Sequence, residues 1–139
     1  MAAFNKFNQF VADLATKVHN LNADALKIML TNTAPLATNT VKSNITEIAA
    51  GNGYVAGGGV AAFVSGNDTA GVYKLILSPV VFTATGGPIG PFEWAVLYNS
   101  TPAAGNLIGW WDYGTAVTLT SGNSFTVGLD QTNGVFSLG

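Results

Sequence analysis

Residues 72–99 read VYKLILSPVVFTATGGPIGPFEWAVLYN. Three runs in it, VYKLILS (72–78), VVFTAT (80–85) and FEWAVLYN (92–99), are rich in β-branched and aromatic residues. GGPIGP (86–91) supplies the turn chemistry between the last two. The same texture continues on both sides. Downstream lie LIGWWDYG (107–114), TAVTLT (115–120), SFTVGL (124–129) and VFSLG (135–139), separated by turns at 100–106, 121–123 and 130–134. Upstream lie VAAFVS (60–65), followed by the turn GNDTAG (66–71), and ALKIMLT (25–31), with Leu26, Ile28 and Leu30 on one face. Eight or nine short strands at this spacing predict an all-β fold, a jelly-roll-like β-sandwich. One helical turn is expected over residues 45–50, stopped by Gly51 and Gly53.

The N-terminus has a different period. Phe4, Phe7, Val11, Leu14, Val18 and Leu21 recur at intervals of three and four with no Gly or Pro between them, which predicts an amphipathic α-helix over residues 4–18. A helix of that length is marginal alone in water, so its apolar stripe needs a cover. Two covers are open: the domain's own sheet or a neighbouring subunit. The chain of 139 residues fits one domain, with a helix and arm over 1–21 and the sandwich over 25–139.

Composition narrows the function. Charged residues make up 9% of the chain, against roughly 25% in an average soluble domain. With five Lys and no Arg there is no basic cluster to displace the counterions of a nucleic acid. No apolar run is long enough to predict a membrane helix, and the N-terminus lacks the shape of a signal peptide, so synthesis and folding in a cytoplasm are expected. With no Cys, disulfides, thiolate metal sites and Cys nucleophiles are excluded. A weakly charged surface of Asn, Thr, Ser and Gly suits extended contact with other chains, where each desolvated charge is costly.

Chemistry-bearing residues are sparse. His19 is the one His and sits just past the expected helix, where a capping role accounts for it. The acids Asp13, Asp24, Glu47, Asp68, Glu93, Asp112 and Asp130 are spread singly. Glu93 and Asp112 are the one pair that neighbouring strands could bring together, as a glycoside hydrolase requires. The turn around Asp68 has one acid, too few for a Ca²⁺ loop. The glycines at 51, 53 and 57–59 lack the GK[ST] or GxGxxG context of a phosphate loop and read as turns, a hinge or a close approach. No catalytic residue, cofactor or metal site is expected.

The aromatic residues carry more. Phe92, Trp94 and Tyr98 alternate along one strand and are expected to share a face. Trp94, Trp110 and Trp111 fall within eighteen residues, with Tyr113 beside them. Two successive Trp on a strand point to opposite faces; if one is core, the other meets solvent, a sugar or another chain.

The stretches AAFNKFNQFVADLATKVHNLNADALKIMLTNTAP (2–35), ITEIAAGNGY (45–54), IGPFEWAVLYN (89–99) and LIGWWDYG (107–114) resemble a family of small virion proteins of tailed bacteriophages, the capsid decoration or cement proteins of short-tailed phages. The resemblance implies a jelly-roll-like sandwich on the outside of the virion, a dimer or trimer that bridges and braces the major capsid protein. On that expectation Phe4, Phe7, Val11, Leu14, Phe92, Trp94, Trp110, Trp111 and Tyr113 make the protein contacts. A head-completion, neck or tail component, and a carbohydrate-binding module using the Trp face, are the alternatives.

Overall fold

The computed structural model describes residues 2–138; Met1 and Gly139, the ends of the expected domain and last strand, lie outside the described residues. In chain order the elements are β1 (Asn5–Lys6), α1 (Asn8–Ala15), β2 (Leu26–Thr31), a single 3-10 turn (Lys42–Asn44), β3 (Gly59–Val60), β4 (Phe63–Thr69), β5 (Val72–Leu77), β6 (Val80–Thr83), β7 (Ile89–Asn99), β8 (Leu107–Leu119), β9 (Ser124–Val127) and β10 (Phe136–Leu138). Every ladder is antiparallel. A five-stranded sheet runs β1-β8-β7-β2-β3, a three-stranded sheet β10-β5-β4 and a two-stranded sheet β6-β9. The fold is an all-β sandwich with one short helix.

The main core lies between the sheets. Ile28 and Leu30 of β2, Ala95 and Leu97 of β7 and Trp111 of β8 form one buried cluster with Leu75 and Leu77 of β5 and Val80 and Phe82 of β6. The five-stranded sheet is covered on its other face too. There Phe7, Met29, Ile45, Val96, Tyr98 and Leu107 make a second buried cluster with Trp110 packed on it. Burial on both faces explains why ALKIMLT is apolar at nearly every position instead of alternating.

The N-terminal segment is shorter in helix than its period predicts. Only Asn8–Ala15 is helical; Phe7 precedes it in extended conformation, and Asn5 and Lys6 pair with Trp110 and Gly109 at the edge of β8. The cause is the spacing of Phe4 and Phe7. Residues three apart lie on one side of a helix but on opposite sides of a strand. The extended form lets the segment straddle the sheet edge. Phe4 meets Trp111 edge-on at 5.5 Å on the core side, and Phe7 lies 4.6 Å from the Trp110 ring on the other. Gly109 makes this possible, because a Cβ there would collide with the Phe4 ring. The stripe is accordingly rotated. Phe10 is buried, whereas Val11, predicted to face inward, is 53% exposed.

Four other expectations are corrected. The helical turn falls at Lys42–Asn44, before residues 45–50, because Ile45 drops into the second core and the chain then runs extended, Glu47 bridging to Thr31. LIGWWDYG and TAVTLT form one strand, β8, interrupted by a bulge. Register jumps from Phe92–Val117 to Trp94–Asp112, and the Asp112 carboxylate accepts the Gly114 N–H at 2.7 Å inside the bulge. That jump also separates Phe92 from its expected companions. Phe92 shares the main core with Ala95 and Leu97, while Tyr98 belongs to the opposite face. Finally, β4 runs on through the expected turn to Thr69, and the hairpin closes on Ala70 and Gly71, both at positive φ (+53° and +82°) as a two-residue turn of this hand requires.

Phe7→Ala is expected to lower the unfolding free energy by about 3–5 kcal/mol, the range for emptying a buried aromatic site. Val11→Ala should change it by less than about 0.5 kcal/mol. Urea titrations of the two variants check this; equal losses would mean that the sequence stripe, not the straddling contact, organises the segment.

Candidate functional site

Trp110 and Trp111 do point to opposite faces of β8, but both faces are covered by this chain. Trp111 is buried under Phe4, and Trp110 is packed against Phe7. Trp94 is half-buried beside them. Phe92 is fully buried, edge-on to Phe125 at 5.0 Å. Tyr113 meets Phe125 from the other side at 5.0 Å, and burial pushes its hydroxyl up to about 12. Of the nine residues expected at an interface, Phe7, Phe92 and Trp111 lie in the protein's own core, Phe4, Leu14, Trp94, Trp110 and Tyr113 are partly covered, and Val11 is exposed.

Glu93 and Asp112 do meet across β7 and β8. Desolvation, followed by the charge of Asp112 and a hydrogen bond to it, raises the Glu93 carboxyl above the usual carboxylate range. Asp112 lies opposite Trp94, the residue next to Glu93, and its Oδ1 is engaged by the Gly114 N–H. Asp130 and Glu47 serve local structure. Asp130 accepts the Asn133 N–H at 2.8 Å, the Asn133 side-chain amide at 3.0 Å and the Thr132 N–H at 2.8 Å, which together lower its pKa. Glu47 accepts the Tyr54 hydroxyl at 2.8 Å and the Gly57 N–H at 2.6 Å.

Asp13 and Asp24 belong instead to a buried polar network that sequence reading missed. His19 is held between them. Its Nδ1 takes a hydrogen from Asn99 Nδ2 at 3.0 Å, and the same amide donates to Asp24 at 2.6 Å. The Asn99 carbonyl is fixed by the Thr101 N–H at 3.0 Å, which sets which side of the amide donates. Asp13, on the inner face of α1, accepts Asn106 at 2.9 Å and Gln9 at 3.1 Å. Since Nδ1 accepts, the imidazole proton sits on Nε2, 3.9 Å from Asp13 and without a hydrogen-bond partner. Burial lowers the His19 pKa against the opposing pull of Asp13 and then Asp24. The segment enters the network by a Schellman turn. Val18 N–H reaches the Asp13 carbonyl at 2.8 Å and Lys17 takes the left-handed position (φ +68°), where Gly costs about 1 kcal/mol less. The signal was present in the chain, as an Asn ending an apolar strand and an Asp on a helix's inner face. Its members are up to 93 residues apart, however, and nothing local joins them.

The exposed apolar surface lies elsewhere. Between Glu47 and Asp68 the chain carries no charge at all. In that interval Val55 (70%), Val60 (60%), Phe63 (39%) and Val64 (51%) are exposed, half of the exposed large hydrophobics of the described residues within ten positions. β3 pairs only with β2 and β4 only with β5, so the chain passes here from the free edge of one sheet to the free edge of another. Gly58 (φ +80°) anchors the passage. It lies so close to the Ile28 carbonyl that a Cβ would collide, which is the close approach expected of the glycine run. A register shift between Phe63 and Ser65 turns two successive apolar side chains to solvent. Contiguous exposed apolar side chains of this kind are unusual on the surface of a folded domain.

Comparison with family models, with curated proteins and with solved structures finds no match for the chain.

The His19 environment sets a pH dependence. In the unfolded chain the imidazole protonates near 6.5, while in the native state it stays neutral to lower pH. Below about 6.5 the unfolded state therefore binds more protons, and stability falls as pH drops from about 7 through the native pKa. His19 is the one His of the chain, so His19→Gln is expected to flatten this slope between about pH 7 and 5. Denaturant titrations across that range check it; an unchanged slope would place the titration elsewhere.

Proposed function

We propose that this protein is a structural virion subunit, a capsid decoration or cement protein of the tailed-bacteriophage kind, jelly-roll type included. It is made in the host cytoplasm, binds the outside of the shell, and bridges copies of the major capsid protein and of itself without catalysing a reaction. Neither a nucleic acid nor a membrane is among its partners. The observation that carries this reading is the uncharged stretch 48–67, in which Val55, Val60, Phe63 and Val64 are exposed. The resemblance of the N-terminal and β7–β8 stretches to such proteins supports it. This surface takes over the role first expected of the Trp residues, since Trp111 is buried and Trp94 and Trp110 are partly covered by the chain itself.

Physically, a brace needs repeated modest contacts. Fully burying a Val or Phe contributes roughly 1.5–3 kcal/mol, so a few such residues within a standard interface of ~1,600 Å² hold a subunit in place. Avidity across many lattice positions does the rest. A weakly charged contact surface costs little to desolvate.

The protein is expected to co-purify with particles in a fixed ratio to the shell protein. Val64→Asp should weaken that attachment at least tenfold while leaving the fold intact, since Val64 is exposed. Quantitative gel analysis of purified particles, with thermal unfolding of the free variant as control, tests both. Particles lacking the chain would falsify the reading, and a handful of copies per particle would move it to a head-completion, neck or tail position.

A further inference from the structure

A cleft of about 500 Å³ lies between the α1–β2 connection and the β5–β10 pair. Its volume falls within the ~300–1,000 Å³ of small-molecule sites. It is distinct from the apolar surface assigned to assembly, and His19 and Asp24 of the buried network form part of its wall. We propose that this cleft binds a small uncharged polyhydroxyl ligand, a single sugar residue or its equivalent.

The polar side of the cleft is fixed in advance. Asp24 Oδ2 accepts the Asn20 N–H at 2.8 Å and the Asn99 amide at 2.6 Å, and Asn99 is itself held by Thr101 and His19. The carboxylate plane is therefore locked, while its Oδ1 accepts no hydrogen bond from the described residues. Asn20 uses its side-chain oxygen on the Asn22 N–H at 3.2 Å and keeps its amide hydrogens free. The Asn22 side chain, on the same rim, has no partner among the described residues. One anionic acceptor and two amides are thus presented together on a rigid support. That set matches adjacent hydroxyls, each of which donates to the carboxylate oxygen while accepting from an amide.

The opposite side is apolar. Leu14, Val18 and Leu138 line it with Tyr73, whose hydroxyl is seated against Gly66, where any Cβ would collide with it. An aromatic ring beside aliphatic groups suits the C–H face of a sugar. The charge balance argues for a neutral ligand. Lys17 lines the cleft opposite in sign to Asp24, so an ammonium ligand drawn to Asp24 meets Lys17, and a carboxylate drawn to Lys17 meets Asp24.

The test is a two-dimensional amide NMR titration of the whole protein with glucose, galactose and N-acetylglucosamine separately, each to about 50 mM, well above the millimolar Kd of a one-residue site. At least one sugar should shift the amides of Asn20, Asn22, Asp24 and Tyr73 in a saturable way. Asn22→Ala, an exposed change outside the buried network, should raise that Kd about fivefold, the loss of one hydrogen bond. Tyr73→Ala should raise it further, and the undisturbed remainder of each spectrum reports that the variants fold. No saturable shift with any of the three, shifts centred elsewhere, or tighter binding of ethanolamine or acetate than of every sugar would overturn the proposal.

Discussion

The structure depends on one contact, the straddling of β8 by residues 4–7. Two aromatic rings, three positions apart, reach opposite sides of one sheet edge and each meets a Trp. Between them the backbone pairs with Trp110 and Gly109, and the Phe7 and Asn8 amides reach the Ile108 and Ala37 carbonyls at 3.1 and 2.9 Å. The contact closes an edge that would otherwise present unpaired backbone. It covers both Trp and fixes where α1 begins. The largest group of exposed apolar side chains lies elsewhere, around the corner where β3 gives way to β4.

The buried polar network follows from that placement. Once α1 is docked by Phe7 and Phe10, its inner face brings Asp13 over the end of β7, and the turn after it delivers His19 to Asn99. Polar groups buried in this way stabilise only when they are paired. Here the pairing is nearly complete, and the neutral imidazole with its one unpartnered nitrogen is the exception. The network has a second consequence, since it locks the orientation of Asp24 at the wall of the cleft beside the α1–β2 connection. Core packing, the helix terminus and the candidate ligand site are therefore parts of one arrangement.

Much of the sandwich was legible in the chain. VYKLIL, FEWAVLYN and LIGWWDYG become strands because their apolar and β-branched texture admits little else, and the hairpin at Ala70–Gly71 falls where turn residues cluster. The departures have physical causes. Phe4 and Phe7 fit a helix or a straddling strand equally well until the position of Trp110 and Trp111 is known, and that is non-local information. Gly66 looked like a turn residue but is small to accommodate Tyr73 within a strand. Gly114 looked like a break and is a bulge, and the bulge reverses the facing of Phe92 relative to Tyr98. The candidate cleft was not legible, because Asp24, Asn99 and Tyr73 come from separate strands and loops and carry no spacing rule. The uncharged run before Asp68 was visible as composition; its exposure depended on its being the free edge of two sheets.

The central claim is that residues 4–8 are an integral part of the sheet, not a free arm kept for a neighbour. Native-state hydrogen exchange of the isolated protein tests it most directly. If the segment closes the sheet, the amides of Phe7 and Asn8 exchange as slowly as those of the paired residues of β7 and β8, with opening free energies near the global value. Exchange at the rate of an unstructured peptide at those two positions, while β7 and β8 remain protected, would contradict the account and return both Trp faces to solvent.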